Sequence, residues 1–223
     1  MQPQQLTNTQ RSEDWFEARL GRATASRFGD IMATGYNGKP LAGYKNYRAE
    51  LVIERLTGQR ADFFQSSAML WGTETEPLAR LYYQMSSNNA VEECGFFAHP
   101  TLQAGASPDG LIGTDGSLEI KCPNTATHIE TLHSGEIPKM YYWQVQGQLW
   151  VTGRAWADFV SFDPRMPDNA RMVIIRVERS QEDIKRLEAS ITAFLKSVDD
   201  ECEFIKNYGK VKQVIKTTEP VNT

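Results

Sequence analysis

No run of about 18 apolar residues occurs in this 223-residue chain, so the sequence offers no helix able to cross a bilayer. The first ten residues, Met1 to Gln10, are polar and lack the apolar core of a secretion signal. Together these absences lead to the expectation of a cytoplasmic protein with no membrane partner. Cysteine is scarce: Cys94, Cys122 and Cys202 are far apart and odd in number, which fits a reducing compartment and excludes a disulfide framework. With no CxxC spacing, neither a zinc ribbon nor an iron–sulfur cluster is indicated. Of the three histidines only His128 and His133 are close, and without a third ligand nearby that pair reads as surface polarity. No G-x-x-x-x-G-K-S/T loop is present, so ATP-driven work through a P-loop is excluded. Positive charge is not in excess either. A net charge of −4 and a pI near 5.5 rule out nucleic-acid affinity carried by bulk electrostatics, leaving local basic groups or metal ions as the means of holding a polyanion.

What is present suffices for one core. Apolar residues make up 40% of the chain, and neither long linkers nor repeats interrupt it. A single domain over 1–223 is expected, with flexible ends at 1–10 and 210–223, the latter carrying Lys210, Lys212 and Lys216.

Ser12 predicts an N-cap, with Trp15, Phe16 and Leu20 as the apolar side of a short helix closed by Gly21. Further helices are expected from Thr24 (Phe28, Ile31 and Met32 inward), from Tyr44 to Leu56, and from Glu74 to Met85, where Leu78, Leu81, Tyr82 and Met85 share a face. Val91 to Ala98 and Leu111 to Cys122 read as strands, the second folded at Thr114-Asp115-Gly116. A helix follows over Pro138 to Thr152, then strands over Trp156 to Phe162 and Met172 to Val177. A last helix runs from Ser180 to Ile205, with Ile184, Leu187, Ile191, Phe194 and Val198 at helical spacing. The order implies an α/β fold with a mixed sheet.

One segment carries chemistry. Period-two alternation in Ser117-Leu118-Glu119-Ile120-Lys121-Cys122 places Glu119 and Lys121 on one face and Leu118, Ile120 and Cys122 on the other. Asp109, in Ser107-Pro108-Asp109-Gly110, opens the partner strand and is brought beside Glu119 by the hairpin. Two carboxylates and an ammonium on an apolar sheet suit a hard cation such as Mg2+, which takes one or two carboxylates and completes its shell with water and phosphate oxygens. Taken alone, the set reads equally as a surface salt-bridge cluster. A similar triplet, Asp183-Ile184-Lys185, falls on a helix, where residues two apart do not face each other.

Ser107-Pro108-Asp109-Gly110-Leu111 followed by Leu118-Glu119-Ile120-Lys121-Cys122-Pro123 resembles the core of the PD-(D/E)XK nucleases, and specifically the phage lambda exonuclease and viral-recombinase family. The resemblance runs collinearly through Trp15, Arg19-Leu20-Gly21 and Thr24-Ala25-Ser26, then Trp71-Gly72 with Glu76. It continues through Tyr141, Gln144-Val145-Gln146 and Trp150-Val151 to Asp163-Pro164-Arg165-Met166. It implies a restriction-endonuclease-like core: a central mixed sheet flanked by helices. It also implies a 5′-to-3′ exonuclease on double-stranded DNA ends that releases mononucleotides and leaves 3′ overhangs. Asp109, Glu119, the Ile120 carbonyl and Glu76 are the implied metal ligands for Mg2+, two ions in this family, with Mn2+ able to substitute. Lys121 is the implied catalytic lysine. Gln144 reaches into the site, although with Tyr141 and Gln148 it reads by itself as an ordinary polar stripe. Arg19 and Ser26 match holders of the 5′-phosphate, and Ser107 adds a hydroxyl to that pocket. Tyr141 belongs with the DNA contacts. Met69 falls where the family places an apolar wedge, and Lys39 and Arg27 are candidates for steering the displaced strand. A homotrimeric ring and a single-strand annealing protein are the implied partners. Two rivals stay open: a same-fold endonuclease and a catalytically silent DNA-end-binding subunit.

Overall fold

The alternating segment at 116–121 becomes the middle strand of the molecule. In the computed structural model, which describes residues 4–7, 9–36, 38–60 and 66–209, strand β7 (Gly116–Lys121) lies third in a five-stranded sheet. Its neighbours are β6 (Gly110–Ile112), antiparallel, and β8 (Trp156–Phe162), parallel; β3 (Val91–Glu92) and β9 (Met172–Glu178) form the edges. A parallel β7–β8 pair requires a crossover. Helices α5 (Thr125–Ser134) and α6 (Lys139–Thr152) supply it. The hairpin turns through Gly113, at φ +51°, so Gly116 is already in strand. Gly116 is required for space: a Cβ there would meet the Trp156 ring at 2.3 Å.

Side chains sort by parity. Leu118, Ile120, Val160 and Phe162 pack beneath helix α4 (Ser67–Ser87) with Ala79 and Tyr83. Ala157 and Phe159 point the other way, onto Val145 and Leu149 of α6. Each such buried side chain contributes about 1.5–3 kcal/mol. A second sheet, ordered β1-β4-β5-β2, is built from Gln4–Gln5, Phe97–Ala98, Ala104–Ala106 and Ala23–Thr24. Around it gather α2 (Phe28–Met32), α3 (Ala42–Thr57) and α7 (Gln181–Asn207), whose Ile184, Leu187, Ile191, Phe194 and Val198 are buried as their spacing predicts.

Several elements differ from expectation. Val91 to Ala98 is two short strands in different sheets, parted at Gly95, where Thr7 lies too close for any side chain. Thr24 is strand rather than helix, and Ala25–Arg27 is a 3-10 turn. Helix α4 begins seven residues early, capped by Ser66, and turns Thr75, Ala79 and Tyr83 inward while Leu78, Leu81 and Met85 are exposed. Helix α5 lies where the sequence pattern predicts no element. It buries His128 completely between Ser161 Oγ (2.8 Å) and the Ala170 carbonyl (2.9 Å), so this histidine is core, not surface polarity. Residues 210–223, with their three lysines, lie outside the described residues. No helix among the described residues is long and apolar enough to cross a membrane.

Candidate active site

Helix α1 (Glu13–Arg19), α4, the β6–β7 hairpin and α6 converge on one cleft of about 1410 Å3. Asp109, immediately before β6, is fixed by two hydrogen bonds: its N–H donates to the Leu118 carbonyl (2.9 Å), and its Oδ2 accepts from the Ile120 N–H (2.7 Å). Those bonds lay Asp109 beside Glu119. Glu119 is 1% exposed, and three side chains donate to it. Lys121 Nζ and Gln144 Nε2 each reach Oε1 at 2.5 Å, and Gln148 Nε2 reaches Oε2 at 2.5 Å. Lys121 also stands 5.1 Å over the Tyr141 ring, which stacks on Phe159. Burial pulls the Lys121 ammonium down, but attraction to Glu119 and Asp109 outweighs it, so its pKa is raised and it stays charged.

Negative charge is in surplus here. Burial, then repulsion from Glu119 and from Glu76, drives the Asp109 carboxyl well above the usual carboxylate range despite Lys121. Glu76 of α4 lines the cleft, whereas Glu74 is exposed; Arg11 holds one Glu76 oxygen and Arg80 the other, both at 2.8 Å. Among the described residues no three His, Cys, Asp or Glu side chains form a ready ligand set. Magnesium does not need one. Two carboxylates and the backbone of Ile120 at the cleft wall, crowded enough to repel each other, are a donor set that fits a hard cation.

The cleft is also lined by basic and aromatic side chains, among them Arg19, Arg60, Trp15 and Phe16. The Arg19 guanidinium lies 4.0 Å over the Trp15 ring and has no hydrogen-bond partner among the described residues. Burial lowers its pKa to about 10; Tyr47 and Glu54 oppose this and Arg60 adds to it. Ser26 lines the cleft, its hydroxyl 3.3 Å from Thr24 Oγ1. Ser26 sits in a 3-10 turn before a five-residue helix, so what it offers an anion is its hydroxyl rather than a helix N-terminus. Ser107 is not a wall residue; its hydroxyl accepts from Trp15 Nε1 at 2.9 Å, bracing the ring that carries Arg19. Met69, 44% exposed, is on the cleft wall in the first turn of α4. Arg27 is committed to Asp30 and Glu50, and Lys39 does not line the cleft.

Two residues at the site carry no role assigned from the sequence, although Arg165 belongs to one of the matching blocks. Arg165 lines the cleft 4.8 Å over Trp71, its guanidinium held by the buried Asp163. Gln148 read as one member of a polar stripe; its burial behind Glu119 follows only from how α6 rolls onto the sheet.

With this geometry in view, comparison with known proteins is decisive. Residues 14–155 match the YqaJ-like viral recombinase domain. The chain belongs to this family. It is 45% identical to an alkaline exonuclease of Laribacter hongkongensis, whose crystal structure superposes with a TM-score of 0.81 over 88% of this chain and 97% of that one. The same enzyme in complex with dAMP gives a TM-score of 0.82, with equal identity and coverage. A phage-related exonuclease from Haemophilus somnus shares the fold at 17% identity, with a TM-score of 0.65 over 82% of this chain and 96% of that one. An uncharacterized protein of Acanthamoeba polyphaga mimivirus is 24% identical over 168 residues, 68% of this chain; the chain spans 28% of that protein's length.

Proposed function

We propose that this chain is a magnesium-dependent exonuclease that digests one strand of double-stranded DNA from its 5′ end. The observation that carries this reading is the convergence of Asp109, Glu119 and Lys121 in a cleft that is also lined by Arg19, whose guanidinium has no hydrogen-bonding partner among the described residues. The 45% identity to an alkaline exonuclease supports it.

Asp109, Glu119 and the Ile120 carbonyl are the residues that would hold Mg2+, with Glu76 beside a second ion and Mn2+ as a substitute. Bound there, the metal supplies positive charge to the scissile phosphate and favours ionisation of a water. Lys121 adds a compact cation beside the carboxylates, suited to the charge that develops on the phosphoryl oxygens. Gln144, with its amide on Glu119 Oε1, orients that carboxylate and offers its carbonyl to water or phosphate. Tyr141 forms part of the wall along which the strand passes. Arg19 presents a planar fork to a terminal 5′-phosphate. Ser26 offers a hydroxyl nearby, Ser107 steadies Trp15 behind it, and Met69 presses on the terminal base pair.

Mononucleotides leave from the 5′ strand, and the 3′ overhang suits a single-strand annealing protein. A homotrimeric ring closed around DNA would supply processivity without ATP. Linear duplexes labelled at the 5′ or the 3′ end, run beside a covalently closed plasmid, test the reading. Early release of the 5′ label with the plasmid intact is expected; rapid nicking of the plasmid would replace it with the endonuclease reading. Binding of ends without any digestion would favour a silent end-binding subunit.

A further inference from the structure

Helix α6 carries two fully buried glutamines, and they are satisfied in different ways. Gln146, 1% exposed, is bonded at both ends: Nε2 donates to the Glu178 carbonyl at 2.8 Å and Oε1 accepts from the Ser180 N–H at 3.0 Å. Gln148, also 1% exposed, directs Nε2 at Glu119 Oε2 (2.5 Å) and, more distantly, at the Ser107 carbonyl (3.5 Å). Its Oε1 is buried and has no hydrogen-bond partner among the described residues. Burying an amide oxygen unpaired is unfavourable.

The contacts divide Glu119 into two sides. Lys121 and Gln144, the donors to Oε1, both line the cleft; Gln148, the donor to Oε2, does not. A ligand entering the cleft therefore meets Oε1 and the two cleft-lining donors that share it, while Oε2 is held from behind by Gln148. The anchor reaches further, since the Ser107 carbonyl is its second acceptor and the Ser107 hydroxyl holds Trp15, on which Arg19 stacks.

We infer that Gln148 is a positioning residue that fixes the Glu119 carboxylate toward a divalent cation. The inference rests on the nuclease reading above and deepens it. Partners behind a metal ligand commonly matter about 10–100-fold in metal affinity. Gln148→Met keeps length and volume while removing the donor. Gln146→Met removes a buried glutamine from the same helix but away from Glu119.

Mn2+ binding, measured by titration with detection of the free ion by electron paramagnetic resonance, and thermal unfolding would be followed for both variants and the native chain. Both variants should lose thermal stability. Only Gln148→Met should weaken Mn2+ binding, on the order of 10–100-fold, while retaining affinity for duplex ends in metal-free buffer. Equal Mn2+ affinity in Gln148→Met and the native chain, or equal weakening in both variants, overturns the inference. Should Gln148→Met not fold, Gln148→Asn carries the same test, because its amide is one methylene short of Glu119. A native chain that neither binds Mn2+ nor digests duplex removes the nuclease reading and this inference with it. Native binding and digestion matched by Gln148→Met removes the inference alone.

Discussion

Glu119 and Asp158 stand on neighbouring strands of one sheet, 1% and 3% exposed, and the two carboxylates do opposite things. Asp158 lies beside Leu118 on the face covered by α4, where Arg176 gives it two hydrogen bonds and the Tyr83 hydroxyl a third at 2.6 Å. Its charge is matched by Arg176, and it does not line the cleft. Glu119, on the other face, shares its surroundings with Asp109 and Glu76 and lines the cleft. Burial of a carboxylate does not mark a site. Unbalanced like charge at the wall of a cleft does.

The sharpest way to break this comparison is to neutralise each carboxylate. Glu119→Gln should lower the rate of duplex digestion by at least about 10²–10³-fold, the usual cost of losing a group that acts on transition-state charge. Its thermal unfolding should stay cooperative. Arg19→Ala comes next: loss of a charge-assisted bond worth about 1.5–3 kcal/mol should erase about 10- to 150-fold of preference for 5′-phosphorylated over hydroxyl ends. Survival of that preference would move the phosphate pocket elsewhere. Asp158→Ala should behave in the opposite manner to Glu119→Gln. It leaves the buried Tyr83 hydroxyl short of an acceptor, costing about 1–3 kcal/mol in urea unfolding with the digestion rate unchanged. A rate loss as large as that of Glu119→Gln would erase the distinction.

The smallest effect is expected at Asp163, which is buried and held by Arg165 and Thr125. The hydrogen bond from Arg165 depresses its pKa to about 2, burial opposing. Because the folded value is depressed, its contribution to stability is present above the ordinary carboxylate pKa of about 4 and is lost as pH falls toward 2. The stability gap between the native chain and Asp163→Asn, from urea unfolding at pH 6 and pH 3, should therefore narrow at the lower pH. A gap that does not change with pH would contradict that assignment.

The sequence showed the parts of this architecture that are written locally. Strong periodicity located α7 and strands β8 and β9 within a residue or two, and alternation in 117–122 put Glu119 and Lys121 on the same face. Helix α5 escaped because Thr125, Thr127, Ile129 and Thr131 are weak helix formers, although Asn124 and Gly135 cap its two ends. The four-stranded sheet escaped because strands of two or three residues exist only through partners distant in sequence, such as Gln4 with Ala98. The inward face of α4 was hidden by its small residues: Ala79 and Thr75 let the helix sit close to the sheet while larger apolar neighbours stay outside. At the site, resemblance selected Glu76 over Glu74, whereas the environments of Gln148 and Arg165 required the fold.

The claim on which the rest depends is that Asp109 and Glu119 together hold a divalent cation at the cleft wall. Crystals soaked in Mn2+ and measured at the manganese absorption edge test it directly. The account predicts an anomalous peak between the two carboxylates and the Ile120 carbonyl, absent in Glu119→Gln; manganese bound only elsewhere on the chain, or a peak that persists unchanged in that variant, would contradict it.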